Sequence, residues 1–112
     1  MPISANGYVG TMGQQQVNVR LSIPQASEIM RARINRFDEN YLAVKTGGAY
    51  PEFIIYDLRN KEEDLENNAF KLNGHSEEGF GLAWSPLDNR HLLSGSYDRR
   101  ILLFNMERLE AP

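Results

Sequence analysis

The feature that most constrains this chain is a layout that occurs twice, about fifty positions apart. An alternating run ends in a bulky residue, Ile34 in one copy and Trp84 in the other. A second run follows, Leu42-Ala43-Val44-Lys45-Thr46 and Leu92-Leu93-Ser94-Gly95-Ser96, and a third closes as Ile54-Ile55-Tyr56-Asp57 and Leu102-Leu103-Phe104-Asn105. Ile34 to Trp84 and Leu42 to Leu92 are both offsets of 50. Short strands repeated at this period predict a β-propeller, in which each repeat supplies one blade and no blade can bury its faces alone.

The alternation places the strands. Val17, Val19, Leu21 and Ile23 alternate with polar residues, which predicts a half-buried strand over Val17–Ile23, ended by Pro24 because proline has no ladder donor. Further strands are expected at Ile29–Asn35, Tyr41–Thr46, Phe53–Leu58, Ala69–Leu72, Phe80–Ser85, Leu92–Ser96 and Ile101–Asn105. Gly47-Gly48 is expected to supply two positive φ values in a tight turn. The charged stretch 59–68 reads as a polar surface loop in preference to a helical turn over Glu62–Asn68, and its acidic run at 62–66 as a solvated face able to attract basic tails. Three units result: a flexible segment 1–16; residues 17–72, a first repeat plus an outer strand, with Ile29–Leu72 making one complete blade; and residues 73–112, a second repeat that lacks its outer strand. Unpaired edges at both ends invite self-association. Three or four copies closing a ring would satisfy them.

Composition excludes more than it selects. There is no cysteine among the 112 residues, hence no disulfide framework and no thiolate metal site. The net charge of −3 argues against direct nucleic-acid binding, which needs a basic face. No apolar run reaches membrane-spanning length, so no membrane partner is expected, and the first residues lack the pattern of a secretory signal. No nucleophile elbow, phosphate loop or dinucleotide fingerprint is present. An enzyme is therefore not expected, and no cofactor or metal.

Gly74-His75, Trp84-Ser85-Pro86, Leu93-Ser94-Gly95-Ser96-Tyr97-Asp98 and Ile101-Leu102-Leu103-Phe104-Asn105 together resemble a WD repeat. The resemblance implies a structural polar network of His75, Ser94 and Asp98, one hydrogen bond short because Phe104 stands where the repeat usually has a tryptophan. It narrows at two blocks. Leu72 to Pro86, with Gly74-His75 and Glu78-Gly79-Phe80-Gly81-Leu82, is similar to a stretch of the retinoblastoma-binding, Msi1-like histone chaperones. So is Glu28-Ile29-Met30-Arg31-Ala32-Arg33, with Ala43-Val44-Lys45-Thr46 and His91-Leu92-Leu93-Ser94 at matching spacing.

That family implies an all-β fold holding about two of an expected seven blades. It also implies a non-catalytic nuclear scaffold in complexes for chromatin assembly, modification and remodelling, with histones or other basic peptide motifs as partners. Carried over by position, Glu28, Arg31, Glu78 and Phe80 are the expected peptide-binding residues. The carboxylates would accept arginine hydrogen bonds and the Phe80 ring would face a cation. Met30 replaces the family's asparagine, and Phe80 its usual tyrosine. Two readings stand for Glu28 and Glu78: ligand-binding groups on one rim, or solvated loop charges above a core phenylalanine. A ribosome-assembly WD-repeat relative shares the Glu-Gly-Phe and Trp-Ser-Pro features and is the alternative family. A third reading is a propeller piece with no activity of its own.

Overall fold

The computed structural model describes residues 9–12 and 15–106, with side chains from Val17 onward. Every element among them is a strand except one short 3-10 turn. Strands β1 (Val9–Met12) and β2 (Gln15–Asn18) form a two-stranded antiparallel ribbon. Strands β3 (Ile29–Ile34), β4 (Tyr41–Thr46), β5 (Phe53–Asp57) and β6 (Phe70–Lys71) form a four-stranded antiparallel sheet in chain order. Strands β7 (Gly81–Trp84), β8 (His91–Gly95) and β9 (Ile101–Asn105) form a three-stranded antiparallel sheet. The second and third sheets are consecutive propeller blades, the latter without a fourth strand among the described residues.

Both blades follow from alternation. In β7 and β8, Leu82, Trp84, Leu92 and Ser94 are buried while Ala83 and Leu93 between them are exposed. Leu82, Trp84 and Leu92 pack on Tyr41, Ala43, Phe53 and Ile55 of the first blade. Phe104 meets Phe53 edge to face across the junction, centroids 5.4 Å apart. Strands β4 and β5 are apolar on both faces and buried on both, as expected where each face has a neighbour. Their second face, with Val44, Ile54 and Tyr56, is covered by Leu65 and by Leu21 and Ile23. Fully burying a residue such as Ile55 or Leu92 contributes about 1.5–3 kcal/mol, so the blade junction is a principal source of stability.

Three expectations need correction. The strand placed at Val17–Ile23 is offset: β2 ends at Asn18, and residues 19–25 belong to no strand. Alternation survives there, with Leu21 and Ile23 half-buried and Arg20 and Ser22 exposed, but no ladder partner lies alongside. The ribbon β1–β2 falls largely within 1–16, read from its glycines as a frayed segment. The loop after β5 contains a 3-10 turn, Glu62–Asp64, that drops Leu65 into the core at 2% exposure.

The β4–β5 connection also differs. Only Gly48 has a positive φ, +96°. Gly47 is required by proximity instead, since a Cβ there would lie 2.4 Å from the Glu78 carboxylate and 2.9 Å from Met30 Sδ.

Candidate functional site

The residues singled out by sequence gather where the two blades begin, beside the loops joining β4 to β5 and β8 to β9. The chain enters both blades in the same way. The carbonyl of Glu28 accepts a hydrogen bond from the Gly47 amide (2.8 Å), and that of Glu78 accepts one from the Tyr97 amide (3.0 Å). Donor and acceptor are each displaced by the same fifty positions, so the two glutamates occupy equivalent places at the blade entrances.

Their side chains differ. Glu28 is exposed, and its carboxylate has no hydrogen bond or ion pair among the described residues. Glu78 reaches across to the first blade, where its Oε2 accepts from the Gly48 amide at 2.7 Å. One acid is open to a ligand, while the other already holds the neighbouring loop.

Arg31 and Phe80 are brought together across the blade junction. Arg31 Nε donates to the Phe80 carbonyl at 3.1 Å, and its guanidinium lies 5.6 Å from the centre of the Phe80 ring. Phe80 is 47% exposed and meets Tyr97 edge to face at 6.3 Å. The cation expected over Phe80 is thus supplied, in this state, by the chain itself. A peptide arginine would have to displace it or use the remaining aromatic surface formed with Tyr97.

Behind this rim lies the polar cluster of His75, Ser94 and Asp98. His75 Nδ1 is 2.9 Å from Asp98 Oδ2, and Nε2 is 2.9 Å from Ser94 Oγ. A carboxylate accepts only, so Nδ1 donates to Asp98, and Nε2 shares a hydrogen bond with the Ser94 hydroxyl. Asp98 also accepts from the Ser76 amide (3.0 Å) and the Arg100 amide (2.9 Å). Burial would raise the Asp98 carboxyl, but the bonds from His75, Ser76 and Arg100 outweigh it and hold the pKa at about 2. Phe104 contributes packing in place of an indole donor, and no buried side-chain N or O among the described residues is left unpaired.

Sequence reasoning missed a fourth contributor, Lys45. It is 3% exposed near the end of β4, and its Nζ donates to the carbonyls of Gly81 (3.1 Å) and Gly95 (2.7 Å) in the second blade. The ammonium lies 5.8 Å from the centre of the Phe53 ring. Burial pushes its pKa down, opposed by the charge of Asp98. A lysine inside an otherwise apolar run was the available signal. Asn35 was also missed: fully buried, it donates to the Asn89 carbonyl and accepts from the Phe37 and Asp38 amides.

The arrangement offers a carboxylate, an aromatic pair and a guanidinium at the blade entrances, together with hydrogen bonds that join the blades. The chain is 35% identical over 95 residues to the WD-40 repeat-containing protein MSI3 of Arabidopsis thaliana, a match covering 81% of this chain and 22% of that protein. It is 32% identical over 109 residues to the histone acetyltransferase type B subunit 2 of Aspergillus oryzae, covering 89% of this chain and 24% of the relative. This is a partial-length relative of the Msi1-like WD-repeat proteins. The Msi1-like segment thus spans about a quarter of the length of the relatives it matches. No protein-family model matches it. No solved structure matches it either.

Proposed function

We propose that this chain is the peptide-binding part of a non-catalytic WD-repeat scaffold that works in the nucleus. Its partners are basic peptides of the histone type and subunits of chromatin complexes. The reading is supported by kinship with a subunit named for histone acetyltransferase and with an Msi1-type protein. It treats 17–72 and 73–112 as the two repeat units.

The observation that carries it is the rim itself. Glu28 offers an open carboxylate at the entrance of the first blade and Phe80–Tyr97 an exposed aromatic pair at that of the second, with Arg31 reaching Phe80 and Glu78 reaching Gly48 across the junction. A carboxylate beside an aromatic face is the chemistry that selects arginine or lysine over neutral side chains. In this reading an incoming arginine takes the place of Arg31 over Phe80 and pairs with Glu28. His75, Ser94, Asp98 and Lys45 hold the rim in shape and do not touch the peptide.

The test is a propeller in which residues 15–106 replace the matching segment of the Arabidopsis relative, titrated with an arginine-bearing histone-tail peptide. Glu28→Ala combined with Phe80→Ala should weaken binding at least tenfold, about 1.4 kcal/mol or more. Unchanged affinity would remove the rim from the site.

A further inference from the structure

The β3–β4 register shifts between Ile29 and Arg31, which leaves Met30 as an extra residue in β3. A bulge of this kind re-aims the side chains beside it. Arg31, directly after it, reaches the second blade, where its Nε donates to the Phe80 carbonyl at 3.1 Å and its guanidinium carbon lies 5.6 Å from the centre of the Phe80 ring. The second repeat has no equivalent reach. Its counterpart position is Gly81, where a Cβ would lie 2.9 Å from the Gly95 amide nitrogen.

The contact has the form of a binding site with its ligand in place. The Phe80 ring is braced edge to face by Tyr97, so the platform is built independently of Arg31. Arginine suits it because a planar cation stacks on a ring while its N–H groups stay free to donate. Arg31 makes no ion pair among the described residues, so one hydrogen bond and the ring retain it. Arg59 shows what a firmly anchored arginine looks like in the same chain. It lies 5.4 Å from the centre of the Tyr41 ring and is also held by two hydrogen bonds to the Asp57 carboxylate.

We propose that Arg31 is a resident competitor for the Phe80 platform, an internal stand-in for the arginine of a bound peptide. The role rests on the rim being a peptide site. A peptide arginine gains the platform by displacing Arg31, and it restores what the displacement breaks: the ring contact and the donor to the Phe80 carbonyl. Apparent affinity is then the intrinsic affinity scaled by the fraction of molecules in which Arg31 has left the ring. Arg31 therefore weakens binding, the opposite of what a ligand-contacting residue does.

The experiment titrates a histone-tail peptide carrying one arginine into the 112-residue chain and into its Arg31→Ala, Arg31→Lys, Phe80→Ala and Arg31→Ala/Phe80→Ala variants, with circular dichroism verifying each fold. Arg31→Ala should tighten binding about three- to tenfold, and Arg31→Lys less. In the Phe80→Ala background, removing Arg31 should change affinity by less than about twofold, since nothing is left to compete for. In the parent chain, NMR should show the Arg31 Nε–H resonance leaving the ring-current field of Phe80 as peptide binds. Equal or weaker binding by Arg31→Ala overturns the competitor role and leaves the peptide site standing. A gain that persists in full without Phe80 overturns it as charge repulsion alone, and so does an Nε–H resonance unmoved at saturation. Binding by none of the chains overturns both the role and the peptide site.

Discussion

The two blades carry nearly the same pattern and have different fates. In the first, both faces of the central strands are buried, one by the second blade and the other by Leu65 and the 19–25 segment. In the second, one face is buried and the other is bare. Burial is therefore a property of neighbours as much as of residues. Trp84 and Ile34 sit at equivalent positions, yet one is 9% and the other 51% exposed, because only Trp84 has a blade opposite it.

Substitutions that break this contrast should scale with it. Trp84→Ala removes an indole from the junction together with its hydrogen bond to the Arg33 carbonyl, and should cost about 3–5 kcal/mol in urea unfolding. Ile34→Ala should cost no more than about 1 kcal/mol in the monomeric chain. Equal losses would mean the blades do not pack as described.

Lys45→Met keeps the stem volume but deletes both donors to the second blade. It should destabilise by about 1–3 kcal/mol if the ammonium is a staple. A neutral or stabilising result would show that the desolvation cost of the lysine exceeds its hydrogen bonds.

Asp98 supplies a pH test. Its folded pKa is depressed to about 2, so its contribution is complete above the ordinary carboxylate range and is lost as pH falls from about 4 to 2. The melting temperature of the parent chain should fall over that window, and Asp98→Asn should start lower and show a shallower fall. An identical pH profile would separate Asp98 from acid sensitivity.

The smallest effect belongs to the bare face. Leu103→Ala should change monomer stability by less than about 0.5 kcal/mol, against about 2–5 kcal/mol for its counterpart Ile55→Ala.

Much of the fold was legible because period-two alternation marks strands directly. The centres of β3 to β9 fall within the stretches where Ile, Leu, Val and aromatic residues alternate or run together. The β1–β2 ribbon was not legible, since Gly10 and the glutamines around it give no apolar period. Residues 19–23 have the alternation of a strand without the partner that would make them one.

The site was legible in part. His75, Ser94 and Asp98 were picked out by motif and are hydrogen-bonded together. The contact between Arg31 and Phe80 spans 49 positions and the Lys45 bonds to Gly81 and Gly95 span 36 and 50. Such contacts exist only once two blades meet, and no local pattern announces them. Glu78 illustrates the same limit: its repeat position was readable, but its bond to Gly48 was not.

The most direct test of the blade junction uses the fact that Trp84 is the only tryptophan of the chain. Its fluorescence reports on that junction alone. Packed blades predict short-wavelength emission that resists quenching by iodide and shifts to long wavelength in a single step as urea unfolds the chain. Long-wavelength, freely quenched emission from a sample whose circular dichroism still shows β structure would contradict the account.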